Sequence, residues 1–165
     1  MKNCMKKIAS MGLILAMAVA LLSACGKKAG NGGAKVFYIG GSGPLTGGYA
    51  AYGLGVKNGA ELAVKEINAA GGINGIKIEF SYEDDEGDPE KAVNSYNILK
   101  DKGMNIVLGT VTSGACAAVV EKTYQDGMFQ ITPSASSIDV LKYGNVFQVC
   151  FTDPNQGLAS ARYIA

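Results

Sequence analysis

The pattern of apolar and polar positions changes character twice along this chain. Residues 8–22 are apolar or small without a break, and residues 26–34 (GKKAGNGGA) then carry no large apolar side chain. From residue 35 onward, short β-rich runs alternate with stretches of helical period. Residues 35–40 (KVFYIG) end in glycines and read as a strand. Residues 53–70 have apolar residues at Val56, Ala60, Ala63, Val64 and Ile67, spaced 4, 3, 1 and 3 apart. That spacing is one face of a helix, and Gly71-Gly72 is its stop. Residues 76–82 (IKIEFSY) alternate, as a half-buried strand does. Asp88-Pro89 is an N-cap with proline at the first helical position. The helix it opens turns Ala92, Val93, Tyr96 and Leu99 inward and stops near Gly103. Residues 104–108 (MNIVL) are mostly apolar, which predicts a strand buried on both faces. Ser113 caps a third helix that runs to about residue 125, residues 128–132 and 145–150 are two more strands, and Asp153-Pro154 opens a last helix.

Strands and helices therefore alternate through short loops. The physical solution is an α/β fold with helices on both faces of a parallel sheet. Right-handed crossovers make it a doubly wound parallel sheet of flavodoxin-like order 2-1-3-4-5. Ligands of such sheets sit beyond the carboxyl ends of the strands, here residues 41–52, 83–88, 110–113 and 133–137. The same order separates Cys116 from Cys150. They belong to the units of strands 3 and 5, two strand spacings or ~9–10 Å apart, with Cys116 further displaced onto its helix, while a disulfide needs Cα atoms within ~7 Å. The two cysteines are expected to stay unpaired.

Charge changes the picture at the N-terminus. Lys2, Lys6 and Lys7 precede the apolar run with no acid among them, the layout of a secretory signal. The run is shorter than the ~20 residues that a helix needs to cross a bilayer. It ends in Leu22-Ser23-Ala24-Cys25-Gly26, which resembles the bacterial lipobox. The resemblance implies a diacylglyceryl group on Cys25 and a cut just before it. Two acyl chains hold firmly, whereas one gives marginal binding. On this reading residues 1–24 are a lipoprotein signal peptide, residues 25–34 a lipid-anchored flexible tether, and the protein is extracytoplasmic. Losing the signal's three lysines leaves 12 basic residues of 15 against 14 acidic ones. A slightly acidic chain is not a nucleic-acid binder. Histidine is absent, which excludes His-based zinc sites and His acid–base catalysis. No metal or cofactor is expected.

A dinucleotide fingerprint needs glycines at positions one, three and six. Gly41 and Gly43 supply two, but Thr46 stands at the third, and no Lys-Ser/Thr pair follows for a P-loop. The acids Glu83, Asp84, Asp85, Glu86 and Asp88 fit no calcium-loop spacing and read as a solvated, helix-capping loop. No Gly-x-Ser-x-Gly elbow is present, so no hydrolase nucleophile is indicated. Thr112-Ser113-Gly114 places a hydroxyl at a helix N-terminus, where free amides and the dipole favour a carboxylate. Taken alone, Ser113 is equally a plain N-cap. Pro133-Ser134-Ala135-Ser136-Ser137 adds hydroxyls one loop away. Together the two loops form an uncharged cradle suited to a small zwitterion.

Several segments carry a family resemblance: GPLTGGYAAYGLGVKNGAELAVKEINAAGGINGIKIEF, YEDDEGDPEKAV, ITPSASS and FTDPNQG. They are similar to the extracytoplasmic binding proteins of branched-chain amino acid ABC importers, of the type I periplasmic-binding-protein family. The resemblance implies a non-enzymatic protein whose two α/β lobes close on an amino acid and deliver it to permease subunits. It implies a monomer when full length. An extracellular sensing receptor of the same fold is the alternative. By position, Ser113 matches a serine that bonds the ligand carboxylate, and Ser134 a residue whose carbonyl accepts from the ligand ammonium. Ser136 matches a threonine using hydroxyl and amide together, and Tyr52 a tyrosine beside the side-chain pocket. Leucine-type members also staple the acidic loop to the residue before the binding serine; here those places hold acidic or glycine residues and Thr112. Family members are much longer. Residues 35–152 accordingly correspond to most of lobe one, and residues 153–165 to the start of a crossover into a second lobe.

Overall fold

A computed structural model describes residues 36–165. The signal, Cys25 and the tether lie outside the described residues. The elements are β1 (Val36–Gly43), α1 (Ala50–Ala69), β2 (Lys77–Asp84), α2 (Pro89–Asp101), β3 (Ile106–Leu108) and α3 (Ser113–Gln125). They continue as β4 (Phe129–Thr132), a 3-10 turn (Ile138–Leu141), β5 (Val146–Gln148) and α4 (Asp153–Ile164). All four strand pairings are parallel, and the order is β2-β1-β3-β4-β5, as the alternation of the sequence predicts. Cys116 and Cys150 are both free. Burial pushes the Cys116 thiol up to about 11, so it is an inert core group at neutral pH.

Local chemistry explains the elements. Asp88 Oδ1 accepts from the amides of Glu90 and Lys91, both at 2.9 Å, and starts α2. Ala92, Tyr96 and Leu99 then face inward and join Met104, Val107, Ala115 and Val119 in the main core between α2, α3 and the sheet. A second cluster of Cys116, Val120, Ala135, Val140 and Val146 closes the β5 side.

The structure departs from the sequence pattern in three places. β1 does not stop at Gly40 but runs to Gly43, because neighbouring side chains fill the space above its glycines. A Cβ on Gly41 would lie 2.6 Å from Tyr82 Cδ2, and one on Gly43 would lie 2.2 Å from the Tyr82 hydroxyl. β3 is not buried on both faces. Only Val107 is fully buried, while Ile106 and Leu108 face the side where α1 reaches no farther than β1 and β2. On that side Phe129 and Phe147 stack at 5.1 Å and remain 42% and 52% exposed. The last helix opens at Asp153-Pro154 as expected; Thr152 caps it, its Oγ1 accepting from Asn155 N, and α4 buries none of its residues.

The acidic loop, the third departure, is not wholly solvated. Asp85 is fully buried; its Oδ1 accepts from Gly87 N at 2.9 Å, and its Oδ2 has no partner. Desolvation raises its pKa above the ordinary carboxylate value, outweighing the bonds from Gly87 and Ser42, and the charge on Asp84 adds to the rise. Neighbouring Asp84 behaves oppositely. Partial desolvation works against its ionisation, but bonds from Leu45 N, Thr46 Oγ1 and Glu86 N outweigh it and hold its pKa low. A carboxyl with a raised folded-state pKa contributes stability below the unfolded-state value and loses it as pH rises through the folded one. Asp85→Asn is therefore expected to raise the melting temperature at pH 7 and leave it unchanged near pH 3. Thermal denaturation at the two pH values checks this; a variant less stable at pH 7 contradicts it.

Candidate functional site

The carboxyl ends of β1, β3 and β4 lead into one open cleft of ≈ 200 Å³, lined by Tyr49, Tyr52, Val111, Thr112, Ser113 and Ser134. Its volume lies below the ~300–1,000 Å³ of sites that enclose a drug-sized ligand; it is one wall rather than an enclosure. No charged side chain lines it. A second hollow, at the opposite ends of β1 and β2, is framed by Phe37, Ile73, Asn74, Ile76 and Ile78. Its surface is almost wholly apolar, with Asn74 the one polar residue on it.

Ser113 is not the N-cap of α3. That position belongs to Thr112, whose side chain makes no capping bond, and Ser113 is the first helical residue. The extended backbone of Thr112 turns the Ser113 hydroxyl toward the next loop. There Ser113 Oγ accepts from the amides of Ser136 at 3.1 Å and Ser137 at 3.2 Å. With two amides donating to that oxygen, its own hydrogen remains to be donated. The amides at an uncapped helix start lack intrahelical partners, and the dipole there favours negative charge. The arrangement can hold a carboxylate without any formal positive charge.

Ser134 Oγ donates to Val111 O at 2.8 Å. Its hydroxyl is engaged in holding the two loops together, which leaves its backbone for any further contact. Tyr52 and Tyr49 are 65% and 57% exposed and supply aromatic surface on the remaining side. Three residues singled out in the sequence, Tyr52, Ser113 and Ser134, thus line one cleft. Ser136 does not line it and joins it through Ser113. Its amide is engaged there, so its hydroxyl is the donor left over. Tyr49, Val111 and Thr112 were not foreseen. The signal for Tyr49 is its spacing, since residues three apart share a helix face. Gly87 lies against this wall: a Cβ there would be 3.2 Å from the Tyr49 ring and 3.5 Å from Thr112 Cγ2. Among the described residues no three His, Cys, Asp or Glu side chains group as a metal site.

The pattern of the periplasmic binding protein family matches residues 36–165. The Leu/Ile/Val-binding protein BraC3 of Rhizobium johnstonii is 42% identical over 123 residues, 73% of this chain and 34% of that protein. The fold is similar to that of the branched-chain amino acid transporter substrate-binding protein LivJ from Streptococcus pneumoniae, solved in complex with isoleucine. That similarity has a TM-score of 0.68 at 37% identity and covers 72% of this chain and 35% of that one. A periplasmic binding protein type 1 from Bordetella pertussis gives a TM-score of 0.73 at 32% identity, over 79% of this chain and 38% of that one. This chain therefore spans about a third of the length of these relatives.

Proposed function

The chain belongs to the periplasmic binding protein family, and from that premise we propose that it carries the first lobe of a solute-binding lipoprotein. Its ligand is an aliphatic, branched-chain amino acid, captured between two lobes outside the cytoplasm and passed to the permease of an ABC importer. One observation carries the reading: the uncharged cleft where β1, β3 and β4 end. There a helix start and a free hydroxyl hydrogen on Ser113 converge beside two exposed tyrosines. Relatives named for binding leucine, isoleucine and valine supply the ligand class.

In this reading Ser113 donates to the ligand carboxylate together with the first amides of α3. The backbone carbonyl of Ser134 accepts from the ammonium, and the Ser136 hydroxyl adds a bond. Tyr52 lies along the ligand side chain. Neutral groups suffice once a second lobe closes, because hydrogen bonds to charged groups are worth ~1.5–3 kcal/mol each when water is excluded. Residues 153–165 begin the crossover to that lobe. No chemical step is involved, and the protein works as a monomer without a cofactor. A thermal-shift panel of the standard amino acids on the complete two-lobe protein tests the reading. Leucine, isoleucine and valine should stabilise it; stabilisation by charged amino acids alone contradicts it.

At the N-terminus, residues 1–24 act as the signal and Cys25 as the lipid-bearing first residue of the mature protein. The support is the Leu-Ser-Ala-Cys box after a lysine-led apolar run. Cys25→Ser should release the protein from the membrane or leave the signal attached. Membrane fractionation and intact mass check this, and an unchanged result in both contradicts it.

A further inference from the structure

Three donors in a row, on β4 and just past its end, meet three consecutive carbonyls of the neighbouring loop. Gln130 Nε2 donates to Gly109 O at 2.7 Å, Thr132 Oγ1 to Thr110 O at 2.8 Å, and Ser134 Oγ to Val111 O at 2.8 Å. A strand sets every second side chain on one face, so residues 130, 132 and 134 form a ladder against the segment that leads to Ser113. Gln130 and Thr132 are fully buried, and neither lines the cleft. Each also has a second partner. Gln130 Oε1 accepts from Thr123 Oγ1 at 2.8 Å, and Thr132 Oγ1 accepts from Ala135 N at 3.2 Å. Beyond the ladder the two loops meet again, where Ser113 Oγ accepts from Ser136 and Ser137.

An apolar side chain at 130 or 132 would suit the interior of a parallel sheet at least as well. Buried polar groups with every partner present instead fix one arrangement, because leaving any partner unpaired is costly. We propose that Gln130 and Thr132 are positioning residues of the cleft. Through the Gly109 and Thr110 carbonyls they set where Val111, Thr112 and the Ser113 hydroxyl stand. The effect on ligand rests on the reading of Ser113 given above; the effect on the loops does not.

Two readouts on the complete two-lobe protein separate these. The first needs no ligand: hydrogen exchange at the amides of Ser136 and Ser137. These should be protected in the wild type and exchange about tenfold faster in Thr132→Val, a loss of ~1.4 kcal/mol of local stability. Amides of β1 should be unaffected, and Thr132→Ser, which keeps the hydroxyl, should restore protection. The second readout is leucine affinity by calorimetry. It should fall about tenfold in Thr132→Val, as when one bond to a charged group is misplaced. Leu99→Ala, a core cavity on the side of α2, should cost stability without that loss. Should Thr132→Val fail to fold, Gln130→Met is expected to show the same two effects, and wild-type protection remains measurable. Unprotected Ser136 and Ser137 amides in the wild type would overturn the proposal. So would unchanged exchange in a folded variant, or faster exchange with wild-type leucine affinity. Faster exchange in a protein whose wild type binds no leucine would uphold the ladder and sink the ligand reading.

Discussion

Replacing Ser113 with alanine in the complete two-lobe protein should weaken binding of leucine, isoleucine or valine by about ten- to a hundredfold. The range follows from ~1.5–3 kcal/mol for a hydrogen bond to a charged group, at ~1.4 kcal/mol per factor of ten. Two losses act together. The hydroxyl that donates to the carboxylate is gone, and the amides of Ser136 and Ser137 lose their acceptor. The residual binding should come from the α3 amides and from the second lobe. Calorimetric titration of wild type and variant checks the ratio. A folded Ser113→Ala protein with wild-type affinity would remove Ser113 from the site.

Gly53→Ala should be the most damaging single methyl in the first helix. The added Cβ would lie 1.8 Å from the carbonyl oxygen of Pro44 and 2.6 Å from its carbonyl carbon. Both are backbone atoms, so no rotamer change relieves the clash. α1 must lift away from the turn after β1, at a cost at or above the ~1–3 kcal/mol typical of overpacking. Tyr49 and Tyr52 would move with it, so ligand affinity should fall as well. Gly59, in the same helix, is the contrast. A Cβ there meets nothing, and Gly59→Ala should stabilise by roughly 0.5–1 kcal/mol through helix propensity and a stiffer unfolded chain. Urea denaturation of the two variants measures the difference. Equal stability of both would show that α1 does not rest on Pro44.

These expectations separate what could be read in advance from what could not. The sheet order was legible, because alternating strands and helices with short loops leave few topologies open. The grouping of Tyr52, Ser113 and Ser134 was legible for the same reason: strand ends that neighbour one another in the sheet bring their loops together. The extent of β1 was not. Gly40, Gly41 and Gly43 look like a stop signal, and only Met104 and Tyr82 packed against them explain why the strand continues. Whether Ser113 caps α3 was open until Thr112 proved to be the cap residue and the Ser113 hydroxyl turned to the next loop. The burial of Asp85, the ladder from Gln130 and Thr132, and the half-open face of β3 are tertiary facts. No local pattern distinguishes a buried glutamine on a strand from one that faces water.

On the function proposed above, the cleft at the ends of β1, β3 and β4 is half of an amino-acid site. Calorimetric titration of the complete two-lobe protein with leucine, isoleucine and valine tests it. One ligand per protein should bind at about micromolar strength or tighter, ~8 kcal/mol or more, with a negative heat-capacity change as apolar surface is buried. A folded protein that binds none of the three would show that the cleft is not an amino-acid site.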